Sequence, residues 1–251
     1  MKKFLGILVL VLVLTSCKKD PKPGQVTIQM NHNVAGSAFE MNQENYTSPV
    51  GHDYEITKLW YYVSEITFLG DDGAKTTSAG GHLIKAEEIS TYNFALENLD
   101  PGKYNKVQFQ FGITKENNVD DYLDNTIDNQ SMFWPAQMEA ASEKGAYHYM
   151  KFEGRYDSLN TGVKKAFIYH AGPTNGADNS FTVTLPIEQF EINDNSFTLN
   201  INADLQEWLQ NPTTYDFKDY FNVMMNQNTQ SIYKANGLTV FTAGELKENG
   251  K

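Results

Sequence analysis

Apolar side chains return at every second position through most of the chain, and that period commits it to strands. Val26, Ile28 and Met30 alternate with polar neighbours. Residues 59–69 read Leu-Trp-Tyr-Tyr-Val-Ser-Glu-Ile-Thr-Phe-Leu, a long β-rich run, and Gly70-Asp71-Asp72-Gly73 follows as a turn. Residues 104–113 alternate through Val107, Phe109 and Phe111, after a Pro101-Gly102 turn. Further strands are expected at residues 147–153, 166–170, 181–185 and 196–201. Many short strands divided by turn signals specify an antiparallel β-sandwich. Two segments near the end depart from the period: residues 204–209 and 217–225 have helical character, with Asp204 and Asp216 as N-caps. Residues 117–145 are polar and poorly periodic. They are expected to form a long excursion over one end of the sandwich, and such insertions are often functional. The fold class is therefore all-β, a β-sandwich with long loops, plus short C-terminal helices. No second linker, low-complexity tract or repeat interrupts residues 26–251, which are expected to form a single domain.

The first 25 residues obey different rules. Met1-Lys2-Lys3 is basic, residues 4–14 are apolar, and Thr15-Ser16-Cys17 follows. The apolar run is too short to span a bilayer comfortably, so residues 1–16 are expected to be a signal peptide. Leu14-Thr15-Ser16-Cys17 resembles the bacterial lipobox, which makes Cys17 the expected lipidation site. Residues 17–25, with Pro21 and Pro23, are expected to form an extended tether. Lys18 does not resemble the aspartate of an inner-membrane retention signal. The expected location is the cell envelope, lipid-anchored, at the periplasmic or surface face of an outer membrane. Cys17 is the only cysteine. Once it is acylated no thiol remains, so neither a disulfide nor a thiolate metal site is available and the core alone must hold the fold.

The formal charge of -11 argues against nucleic acid as a partner. No Asp-x-Asp-x-Asp-Gly loop offers calcium a cage. Gly-x-Ser-x-Gly, His-Glu-x-x-His, a glycine-rich phosphate loop and Cys-x-x-Cys are all missing, so no independent enzyme activity is expected.

The five histidines carry more information: His32, His52, His82, His148 and His170. Along a strand, Met30 and His32 share a face, as do His148 and Met150, and His170 shares one with Ile168. Imidazole nitrogen with thioether sulfur suits a soft, monovalent copper ion. The plainer alternative is packing, with each ring bonded to a main-chain carbonyl. His52 and His82 follow Gly51 and Gly81 and read as solvent-exposed turn residues. Trp134, inside the excursion, reads as a hydrophobic plug over the sandwich end, and Trp60 and Trp208 as core aromatics.

Several segments together resemble the MbnP-like proteins, exported domains named after a partner protein of the copper chelator methanobactin. They are residues 30–36 (Met-Asn-His-Asn-Val-Ala-Gly), 59–66 (Leu-Trp-Tyr-Tyr-Val-Ser-Glu-Ile), and 99–104 (Leu-Asp-Pro-Gly-Lys-Tyr) with Val107-x-Phe109-x-Phe111-Gly112-Ile113. Met132-Phe133-Trp134, residues 145–154 and Tyr169-His170-Ala171-Gly172 complete the set. The resemblance implies a β-rich domain with extensive loops that binds copper through histidines and a tryptophan-derived kynurenine. It also implies a dihaem cytochrome c peroxidase-like partner that makes this oxidative change. By position His170 matches the family's His-x-Gly histidine and Trp134 the tryptophan of its Met-aromatic-Trp motif. His148 falls in the Gly-aromatic segment as a further ligand, and His32 matches a histidine common near the start of lipoprotein members. With Met150, these are the candidate site residues, and Cu+ is the favoured ion. The chain departs from the pattern at Ala136, where many members carry a second aromatic, in the longer stretch 135–144, and at Asn226, where some relatives have histidine.

Two other readings stay open on the residues alone. Fourteen Tyr, fifteen Phe and three Trp would serve a surface carbohydrate- or protein-binding module without metal, if enough rings were exposed. Trp134 would alternatively be a redox substrate, oxidised with or without a metal. Converging histidines favour copper, and exposed coplanar aromatics favour the binding module.

Overall fold

The computed structural model describes residues 20–43, 46–119, 121–134, 146–158, 161–219, 224 and 226–250. The expected signal peptide, Cys17 and the stretch 135–145 lie outside these.

Two sheets face each other across an aromatic core. The first is ordered β14 (Phe241–Glu248), β13 (Ser196–Asp204), β1 (Gly24–Val34) and β2 (Ser37–Ala38), with β6 (Asn93–Leu99) also paired to β1. The second is ordered β11 (Lys164–Ala171), β10 (Met150–Asp157), β4 (Asp53–Leu69), β7 (Gly102–Phe111) and β12 (Phe181–Ile192), with β3 (Tyr46–Thr47) and β5 (Lys75–Lys85) also paired to β4. The sandwich is thus mixed rather than purely antiparallel. β1 and β13 run parallel, with Val26 opposite Phe197 and His32 opposite Ala203. Alternation along one strand fixes which face is buried and leaves the partner's direction open, so this pairing was not readable from the period.

β4 is the spine of the second sheet, and its β-rich run changes parity midway. Tyr61 and Val63 are buried on one side of Glu65, Ile66 and Phe68 on the other. A bulge absorbs the extra residue: the register with β5 and β7 shifts after Ser64, and Glu65 has φ of 50°. Between the sheets, Phe111 lies 5.4 Å from Tyr61 and 5.0 Å from Phe181, and Trp208 stacks on Tyr233 at 4.3 Å. Trp208 sits on a 3-10 helix, Leu205–Leu209, where Asp204 accepts a hydrogen bond from the Gln206 amide as expected of the cap. The second expected helix, 217–225, does not appear where it is described: residues 217–219 and 224 are turns, and the remainder lies outside the described residues. A longer helix follows it instead, α2 (Gln227–Val240), capped by Asn226 through the amides of Asn228 and Thr229. Its low amphipathic signal concealed it; polar Thr229, Gln230 and Asn236 are among its buried residues.

The polar excursion covers the outer face of the second sheet. It contains α1 (Ile127–Ser131), then β8 (Phe133–Trp134), which pairs with β9 (Ala146–Tyr147) on the return. Tyr62, on the outer face of β4, donates to Asn129 of α1 at 2.7 Å and packs against Tyr147 at 6.0 Å. A face that would otherwise meet water is buried by the insertion itself.

Candidate metal centre

The expected continuous strand over residues 147–153 is broken at His148 and Tyr149, between β9 and β10. The break falls where β4 changes partners. The Tyr62 amide bonds to the Tyr149 carbonyl, and the Tyr62 carbonyl accepts from the Gly112 amide. Gly112, with φ of 83°, leaves room for the Tyr149 ring; a Cβ there would lie 2.6 Å from its Cγ. Strand parity therefore does not reach His148, and the expected shared face with Met150 is lost.

His148 turns instead under the excursion. Its backbone amide donates to the Met132 carbonyl at 2.6 Å and its ring Nδ1 to the same oxygen at 3.0 Å. A carbonyl only accepts, so the proton sits on Nδ1 and Nε2 carries a bare lone pair. That Nε2 is buried with no hydrogen-bond partner. Burial, with Lys151 and then His170 adding repulsion, pushes the His148 pKa down to about 3, against the opposing bonds to Met132 and Phe133. The ring is consequently a neutral imidazole, the form that ligates metals.

Trp134 and His170 complete the cluster. The Trp134 ring centre is 4.7 Å from that of His148, edge-on, and the His170 ring is 4.9 Å from His148 at 88°. The indole Nε1 is also buried without a partner. His170 shares a face of β11 with Ile168, as expected, and that face is the outer one. Its Nε2 donates to Glu153 Oε1 at 2.8 Å, since a carboxylate only accepts. This bond, helped by the charges of Lys58 and Lys151, holds the Glu153 carboxyl below its usual value despite burial. Behind His170, α2 reads the backbone of the His-x-Gly segment. Gln230 Nε2 donates to the His170 carbonyl at 2.9 Å, and its Oε1 accepts from the Gly172 amide at 3.4 Å. Gly172 is needed because the indole lies against it: a Cβ there would be 2.5 Å from Trp134 Cζ3.

Three of the five candidates thus converge, and two do not. Met150 faces the opposite way, into the core, where it is fully buried and Tyr233 Oη approaches its sulfur at 3.7 Å. His32 sits on β1 of the other sheet, sharing a 2.8 Å hydrogen bond with Tyr61 and packed on Phe39 and Tyr92. Burial pushes its pKa down to about 4. Neither glycine-flanked histidine is an exposed turn residue. His52 is 1% exposed and donates to Asp216 at 3.2 Å, and His82 lies within β5, stacked on Phe94 at 4.1 Å. Trp60, expected in the core, is half-buried on the outer face, with the Lys58 ammonium 4.5 Å from its ring centre. The sequence also left unassigned Glu153, the Met132 carbonyl and Gln230. Glu153 was findable, because it follows Lys151 on the outer face of β10.

Among the described residues, no group of three His, Cys, Asp or Glu side chains is gathered in a way that suits a metal. What fits a metal here is narrower: two imidazoles, one with an orphaned buried nitrogen. Imidazole nitrogen suits copper, zinc, nickel and iron alike, and with Met150 in the core the thioether that would favour Cu+ among them is not part of the cluster. The aromatic platform of a glycan binder is not favoured, since Phe133 is the one exposed aromatic among the described residues.

A mixed β-sandwich with a long insertion folded over paired imidazoles and a tryptophan defines the class of this domain. The MbnP family model matches residues 23–228, and the chain belongs to the MbnP family. The fold is similar to that of the solved MbnP from Methylosinus trichosporium, with a TM-score of 0.50 and 12% identity, covering 91% of this chain and 100% of that one. No curated protein matches the chain.

Proposed function

We propose that the protein is a copper-binding lipoprotein of the cell envelope, without enzyme activity of its own, in which His148 and His170 hold Cu+. The observation that carries this is the buried, unpaired Nε2 of a His148 ring whose centre lies 4.9 Å from that of His170. An unsatisfied buried nitrogen costs about 1–3 kcal/mol, and a bound cation would satisfy it. Copper would supply a soft Lewis acid that accepts two imidazole lone pairs. The chain's own part is to keep His148 neutral by burial, to fix its tautomer through Met132, and to exclude water with the Trp134 indole.

In this reading Trp134 is the residue that a dihaem cytochrome c peroxidase-like partner oxidises. Conversion to kynurenine opens the indole C2–C3 bond, places an oxygen on each carbon and releases C2 as formate on hydrolysis. Hydrogen peroxide, acting through the partner, is the oxidant and is reduced to water. The anchor is the lipid on Cys17, and an outer membrane is the favoured site.

The test is to load the purified protein with copper under reducing conditions. The wild type is expected to take up close to one equivalent, and the variant carrying His148→Ala with His170→Ala none. Equal uptake by the two proteins refutes the site. Met150→Leu, a volume-conserving change on the other face of β10, is expected to leave uptake unchanged and to cost less than about 1.5 kcal/mol of stability. Intact mass of protein from its native host reads the tryptophan: an unmodified Trp134 in every preparation removes the oxidation step.

A further inference from the structure

We infer that Glu153 is a positioning residue for His170: it locks that imidazole into the Nε2–H tautomer, so that the pair offers a metal two unlike nitrogens. The inference rests on the copper reading for its purpose and on the hydrogen bonds for its content. The register of β10 with β11 sets Lys151 opposite His170, so Glu153, two residues on along the same face, is the diagonal neighbour of the ring. Its Oε1 lies 2.8 Å from His170 Nε2. Because a carboxylate has no proton to give, Nε2 is the donor, and in the neutral ring Nδ1 keeps the lone pair. His148 is locked the other way. The Met132 carbonyl takes its Nδ1–H at 3.0 Å and leaves Nε2 bare. One ring is oriented by a side chain and the other by main chain. Only the first is open to change by substitution.

A carboxylate behind a ligating imidazole fixes the ring and raises its basicity, and removing such a partner costs about 10–100-fold in metal affinity. A main-chain acceptor fixes its ring without a full negative charge. The two ligands are therefore unequal, and His170 is the stronger donor of the pair.

The experiment uses the full mature chain, labelled with nitrogen-15 and free of metal. Long-range proton–nitrogen correlation spectra report which ring nitrogen of each histidine is protonated. In the wild type His170 is expected to carry its proton on Nε2 and His148 on Nδ1. In Glu153→Leu the Nε2–H preference of His170 is expected to disappear while His148 keeps Nδ1–H, which serves as the internal check on folding. Glu153→Gln, whose amide oxygen still accepts, is expected to keep the tautomer. Competition for Cu+ against a chromophoric chelator is expected to show a 10–100-fold loss for Glu153→Leu and a smaller loss for Glu153→Gln. A wild-type His170 protonated on Nδ1, or on both nitrogens at neutral pH, overturns the inference. So does Glu153→Leu with an unchanged tautomer. Failure of the copper reading looks different: the wild type then binds no copper, and the spectra still decide which nitrogen Glu153 holds.

Discussion

Lowering the pH from 7 to 5 is expected to cost the metal-free domain about 4 kcal/mol of stability, well before its carboxylates titrate. His148 and His32 account for that figure, and His82, also lowered by burial, adds to it in the same direction. Burial is the first cause in each, taking His148 to about 3 and His32 to about 4 from an ordinary 6.5. A depressed value means that the folded protein binds fewer protons than the unfolded chain at pH 6 or 5. Stability therefore rises with pH in this range; it is complete above about 6.5 and is lost as the pH falls toward the folded values. His148 and His32 each contribute about 1.4 kcal/mol per pH unit inside that window. Glu153 and Asp157 are also held low, and their contributions drain away only below their ordinary values of 4.5 and 3.8. The interval from 6.5 to 4.5 thus belongs to imidazole. Urea titrations across it are expected to show a slope of about two protons from His148 and His32, with His82 adding to it, and His32→Gln is expected to remove about one. A flat stability curve between pH 6.5 and 5 would remove the claim that these rings are buried neutral.

That acid sensitivity also marks where the sequence was legible and where it was not. The strands on either side of the site were readable, because alternation through Phe109, Phe111, Phe167 and Tyr169 obeys one physical requirement, a face against the core. The face that His170 shares with Ile168 followed from the same alternation, though not that it was the outer one. His148 did not, because its position depends on a break in the strand, and the break depends on β4 exchanging one neighbour for another at Tyr62. Met150 was misassigned for the same reason. Its face is fixed by β10 alone, and the parity linking it to His148 ends at Tyr149. The convergence of Trp134 with His148 was suggested by family resemblance rather than by pattern, since residues 132–134 and 146–148 meet through β8–β9 pairing across a long insertion. α2 escaped notice because its buried residues include Gln230 and Asn236, whose roles are polar contacts to distant backbone. Hydrophobic period carries no record of such contacts.

Replacing Gly172 by alanine is expected to unseat Trp134 and to destabilise the domain by about 1–3 kcal/mol, the usual cost of overpacking. The backbone at this position has little freedom to retreat. The Gly172 amide points at Gln230, and its carbonyl accepts from Asn179 at 2.8 Å. Both partners are buried. On the open side lies the indole, with Cζ3 and Cδ2 at 2.5 and 2.9 Å from where the new carbon would sit. The movable body is therefore the ring, and moving it opens the lid over His148. In Gly172→Ala the fluorescence is expected to shift toward that of a solvated indole, in step with weaker Cu+ retention. A double-mutant cycle isolates the cause. If the clash with the indole is the whole effect, Gly172→Ala costs almost nothing once Trp134→Ala has emptied the slot, a coupling of the size found between residues in contact. An equal cost in both backgrounds would place the need for glycine in the backbone instead. The His-x-Gly pattern would then describe a turn requirement, with no bearing on how the tryptophan is seated.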